Sequence, residues 1–68
     1  MMAFFSPGQY VRHPDRPDWG IGQVQSSVAD RVTVNFQHAG KQMIIASIVE
    51  LESLSAEQAQ ELSRGKNN

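Results

Sequence analysis

The chain has 68 residues, 40% of them hydrophobic, a net charge of −1 at neutral pH and no cysteine. A chain this short forms one domain at most and buries only about 60% of the surface its unfolded form exposes, which leaves no room for an enclosed active-site cavity beside the core. The missing cysteines exclude disulfide staples, thiolate zinc clusters and thiol catalysis, and the charge balance excludes a global basic field of the kind that coats nucleic acid.

The N-terminal MMAFFS is apolar but shorter than a signal-peptide core, and no apolar run reaches bilayer length. The reading is a soluble, cytoplasmic protein whose residues 1–6 are an extension, with no membrane partner. A first strand is predicted over Gln9–His13, entered through the turn dipeptide Pro7-Gly8. The following PDRPDWG excludes regular strand and helix, because Pro14 and Pro17 each fix φ and lack an N–H donor. A second strand starts at Gly20. Strict alternation puts Gly22, Val24, Ser26 and Val28 on one face and Ile21, Gln23, Gln25 and Ser27 on the other.

Ala29-Asp30 reads as a short turn into a third strand, Arg31–Phe36, with Val32, Val34 and Phe36 inward and Arg31, Thr33 and Asn35 outward. Gln37–Gly40 is a second hairpin loop in which Gly40 supplies the left-handed residue. A fourth strand is predicted over Lys41–Ala46. Its Met43-Ile44-Ile45 run is apolar on both faces, which suits a crowded barrel or a side exposed to a partner. Ser47-Ile48-Val49 reads as one helical turn and Glu50-Leu51-Glu52 as a closing strand with Leu51 inward.

Over residues 53–64 a short helix is expected. Ser55 and Gln58 fit a capping box, with Leu54 and Ala59 as its hydrophobic staple. Ala56, Ala59 and Leu62 make a thin apolar stripe, Gly65 fits a C-terminal cap, and residues 65–68 read as a disordered tail. Five short strands with two tight hairpins predict a mainly β fold, a small five-stranded antiparallel barrel over residues 7–52 with a short C-terminal α-helix.

No motif for catalysis emerges. Gly20-Ile21-Gly22 lacks the third glycine and the helix that a dinucleotide site requires; two glycines that let a strand turn a barrel corner explain it better. His13 and His38 are the only histidines, too few for a zinc site without recognised spacing, so no metal and no cofactor is expected. No nucleophile elbow or acid/base pair appears either. Trp19 has two readings of equal weight, a plug for the barrel end or a partner anchor beside Arg12, Arg16 and His13. An aromatic cage would need Tyr10 and Phe36 to converge on it. The cations Arg12, Arg31 and Lys41 fall on outward strand positions.

The stretch PGQYVRHPDRPDWGIGQVQS, followed by RVTVNF, HAGK and IIASIVELE, resembles an uncharacterised family of short bacterial domains. The patterns Gly-x-x-Val-x-His, Trp-Gly-x-Gly-x-Val and Val-x-Val-x-Phe are more distantly similar to Tudor-like, Src-homology-type barrels. These are the C-terminal domain of UvrD/PcrA-type helicases and the RNA-polymerase-interacting domain of CarD-type regulators and the transcription-repair coupling factor. The likeness covers Pro7 to Glu52 and implies that Gly8, Val11, His13, Gly20, Gly22 and Val24 are shared scaffold. It further implies a non-catalytic domain that docks to a large protein of transcription or DNA repair, RNA polymerase first among them. The related barrels are appendages of larger proteins, and the Asp-Arg-Pro insert lengthens the loop here.

The expected function is therefore protein interaction, with Arg12, Arg16, Trp19, Ile21, Arg31 and Lys41 as contact residues. Two alternatives stand beside it: nucleic-acid binding by the basic face, and self-association through Met43-Ile44-Ile45. No small-molecule substrate is expected.

Overall fold

The structure, a computed structural model, describes residues 5–63. Strands β1 (Tyr10–Arg12), β2 (Ile21–Val28), β3 (Arg31–Phe36), β4 (Gly40–Ile45) and β5 (Glu52–Leu54) form one antiparallel sheet in the order β4-β3-β2-β1-β5. Helix α1 (Ala56–Ser63) follows. The described residues are thus mainly β, with five antiparallel strands and one C-terminal helix among them, as expected.

Two tight hairpins build the β2-β3-β4 meander. Ala29 takes a φ of 55° in the first, and Gly40 takes 71° in the second. β5 then returns to pair with β1, setting Leu54 opposite Tyr10 and Glu52 opposite Arg12. Val11, Val24, Val32, Val34, Phe36 and Ile44 point to one side and form a single buried cluster with Phe5 and Leu51. A cluster that draws on β1 through β4 at once requires the sheet to curl around it. Burying each of these side chains contributes about 1.5–3 kcal/mol.

The glycine pair in WGIG has a separate task at each position. Gly20 sits at a φ of 77°, and a Cβ there would lie 2.8 Å from both Gln37 Oε1 and His38 Cδ2. That closeness follows from the ladder, since His38 N–H donates to Trp19 O at 3.0 Å and Gln37 N–H to Ile21 O at 2.9 Å. Gly22 faces the core, and a Cβ on it would collide with Val34 and Phe36.

Several expectations need correction. The proline loop contains a 3-10 turn, Pro17–Trp19: proline costs nothing at a first helical position, where its missing N–H has no partner, and Gly20 N–H closes the turn on Pro17 O. The closing strand is Glu52–Leu54 rather than 50–52, because its register is set by pairing with β1; Leu51 is buried as expected but just precedes it. Strict alternation in β2 fails between Val24 and Ser26, where the register shifts and Gln25 is the extra residue. Beyond that bulge Ser27 pairs with Val32, and Val28 turns outward opposite Arg31. Phe5 belongs to the core, not to an extension.

The capping box is present: Gln58 N–H donates to Ser55 Oγ at 3.0 Å and Ser55 N–H to Gln58 Oε1 at 2.9 Å. The stripe is narrower than expected, since Ala59 is buried while Ala56 and Leu62 are exposed. Gly65 and the tail lie outside the described residues.

Candidate interaction face

At one end of the sheet the proline loop folds against the core. The Trp19 ring lies 5.1 Å from both the His13 and the Phe36 ring centroids. The Arg16 guanidinium carbon stands 5.6 Å from the Trp19 ring centroid. His13 is buried, and its Nδ1 accepts the Asp15 N–H at 3.2 Å. Trp19 is thus partly buried and packed against the core through two ring contacts, with the Arg16 guanidinium near its ring. Tyr10 packs elsewhere, against the cluster beneath α1, so no aromatic cage forms.

The outer face of the sheet divides into two halves. Over β5, β1 and the start of β2, α1 lies on the sheet, and Ala59 packs with Ile21, Leu54 and Tyr10. Over the rest of β2, β3 and β4 nothing among the described residues covers the sheet. The register there sets Val28 and Ile45 on either side of Arg31, Ser26 and Met43 on either side of Thr33, and Gln23 and Lys41 on either side of Asn35. Paired residues share a face, so these rows form one surface. Val28 is 69% and Met43 61% exposed, and Ile45 is half-buried. Ile48, also exposed, follows in the turn after β4. A cleft of about 610 Å³ runs between α1 and this surface, lined by Gln23 and Asn35 on the sheet and by Glu57 and Gln60 on the helix.

The six expected contact residues do not converge. Arg31 and Lys41 are on the uncovered face, at opposite ends of it. Arg12 is outward on β1 but paired with Glu52 at 3.1 Å, and β2 separates it from Arg31. Arg16 and Trp19 belong to the loop at the end away from Arg31. Ile21 takes the outward position expected of it but is buried under α1, which removes it as a contact. Among the described residues, no three His, Cys, Asp or Glu side chains are grouped as metal ligands would be, and no helix is long and apolar enough to cross a membrane.

A family model described as a protein of unknown function, DUF3553, matches residues 5–54. The chain belongs to the DUF3553 family. None of the curated proteins and none of the solved structures compared with it matches. The DUF3553 unit runs from Phe5, the first core residue among those described, to Leu54, the last residue of β5, so both ends coincide with buried side chains. Helix α1 lies outside the match and is held to the DUF3553 sheet through Ala59.

Sequence reasoning missed Val28 as a surface residue of this domain, because alternation carried through the bulge sends it inward. The polar run Gln25-Ser26-Ser27 was the available signal: it interrupts the apolar positions at the point where parity changes. In the run Met43-Ile44-Ile45, Ile44 lies in the core and its neighbours on the outer face.

Proposed function

We propose that this DUF3553 protein is a non-catalytic interaction module that docks onto a larger protein through the uncovered outer face of β2–β4. The observation that carries the reading is the exposure of Val28 and Met43 on one surface of so small a domain. Large apolar side chains left in water forgo about 1.5–3 kcal/mol each, and a 68-residue chain has little stability in reserve. Val28 and Ile45 on either side of Arg31, with Met43 beside Ile45, group these apolar side chains on one open face, which supports a docking role for it.

The likeness to the RNA-polymerase-interacting domain of CarD-type regulators supports RNA polymerase as the first partner to try, and transcription or DNA repair as the setting. Gel filtration of the protein with RNA polymerase from its own host, at moderate and high salt, tests this. Co-migration at both salts is the expected result, since an apolar interface is weakly screened. Elution as free domain at both overturns RNA polymerase as the partner.

Self-association is the second reading, favoured by the place of Met43 and Ile45 on β4, an edge strand of the sheet. Sedimentation at rising concentration tests it. Nucleic acid is less well supported. With Arg31 and Lys41 as the cations of this face, binding would release about two counterions, giving a salt slope near −2.

A further inference from the structure

We infer that the uncovered face takes an acidic amphipathic helix, an inference that rests on the docking reading above and names its occupant. The first observation is electrical. No outward position of β2, β3 or β4 carries a carboxylate, while Arg31 and Lys41 both do carry charge. Among the described residues neither has an ion-pair partner, whereas Arg12 is matched with Glu52. In a chain of net charge −1, the outward strand positions of this face carry cations and no acid; the acids at its margins are Asp30 and, across the cleft from Asn35, Glu57 of α1. The nearest acid in the adjoining hairpin, Asp30, accepts a hydrogen bond from the Ser47 hydroxyl at 3.0 Å.

The second observation is geometric. Arg31 and Lys41 are separated by four residues along β3 and one strand step, roughly 14 Å. That span equals about two to three turns of α-helix. Between them stand Thr33 and Met43, while Val28 and Ile45 flank Arg31. A helix with an apolar stripe and a carboxylate toward each end would cover Met43 and Ile45 and meet Arg31 near one end and Lys41 near the other.

The third observation is that the same sheet already receives a helix. On the neighbouring half, α1 seats Ala59 against Ile21 and Leu54, and the cleft of about 610 Å³ beside it leaves the approach to Gln23 and Asn35 open. An added strand on the β4 edge would meet the backbone and leave Met43 and Val28 in water. A second copy placed face to face would bring Arg31 and Lys41 against their own counterparts. The acidic helix satisfies both the apolar and the charged groups.

The test uses two synthetic peptides of about 15 residues, long enough to hold a helix. They share one apolar stripe, and one carries glutamates and the other lysines on its flanks. Each is titrated into the isotopically labelled full chain and followed by amide resonances. The acidic peptide is expected to bind at least about tenfold tighter than the basic one, the sum of two gained and two repelled contacts. Shifts are expected at Val28, Arg31, Thr33, Met43 and Ile45, and the preference is expected to invert in the Arg31→Glu, Lys41→Glu double variant.

Equal or tighter binding of the basic peptide at those resonances overturns the acidic occupant and leaves the docking reading standing. Binding of neither peptide, or shifts centred on Arg16 and Trp19, also overturns it, and co-migration with RNA polymerase then judges the docking reading separately. Concentration-dependent dimerisation that broadens the same resonances without peptide assigns the face to a second copy and overturns it too.

Discussion

Ile45 of β4 stands directly opposite Arg31 of β3, so the ladder sets an apolar side chain beside a guanidinium on the uncovered face. One residue back along β4, Ile44 points the other way and is buried in the core opposite Val32. Adjacent positions on one strand therefore do unrelated work. Met43→Lys is expected to change unfolding free energy by less than about 0.5 kcal/mol, as at an exposed surface site. Ile44→Ala is expected to cost about 2–4 kcal/mol. Urea unfolding of both variants checks the contrast.

Gly22 is required by packing. Its missing Cβ is the space that Val34 and Phe36 occupy, so Gly22→Ala is expected to destabilise by about 1–3 kcal/mol, the usual range for overpacking. For a domain of this size each kcal/mol lowers the melting temperature by roughly 4–8 °C. Gly8, at a φ of 93° with nothing within 4 Å of its Cβ position, provides the control. Gly8→Ala carries only the backbone cost, about 1–2 kcal/mol. Thermal melts of the pair check whether the steric and conformational costs separate.

Ala29 holds a left-handed conformation in the β2–β3 turn without being glycine. That conformation costs an L-residue about 1–2 kcal/mol, against the roughly 0.5–1 kcal/mol of extra chain entropy a glycine would lose. Ala29→Gly is therefore expected to stabilise the protein by about 0.5–1 kcal/mol. A fall in melting temperature would mean that the turn is not strained.

Trp19 and Arg16 differ in what they hold. Removal of a ring packed against both His13 and Phe36 is expected to cost about 3 kcal/mol in Trp19→Ala. Arg16→Ala loses one exposed cation–π contact, about 0.5–1 kcal/mol. Equal small effects would return Trp19 to the role of a surface anchor.

Legibility in the sequence followed how local each determinant is. β3 was readable residue by residue, because Arg31–Phe36 alternates without interruption and each inward residue is buried. The capping box of Ser55 and Gln58 was readable for the same reason, since both partners lie within one turn. The position of β5 was not, because its register depends on pairing with Tyr10–Arg12, far earlier in the chain. The candidate face was half legible. Arg31 and Lys41 came from alternation, the side of Met43 stayed open in a run apolar on both faces, Val28 was lost to the bulge at Gln25, and Ile21 was misjudged because a helix from the far end of the chain covers it.

The proposed docking site is the uncovered face of β2–β4. The most direct test is gel filtration of the Val28→Lys, Met43→Lys double variant with RNA polymerase from the host, run beside the unaltered protein and an Arg16→Ala control. Both replaced side chains are largely exposed, so the variant is expected to keep its fold. The unaltered protein and the control are expected to co-migrate with the polymerase, and the double variant is expected to elute alone. Co-migration of the double variant to the same extent as the unaltered protein would contradict it.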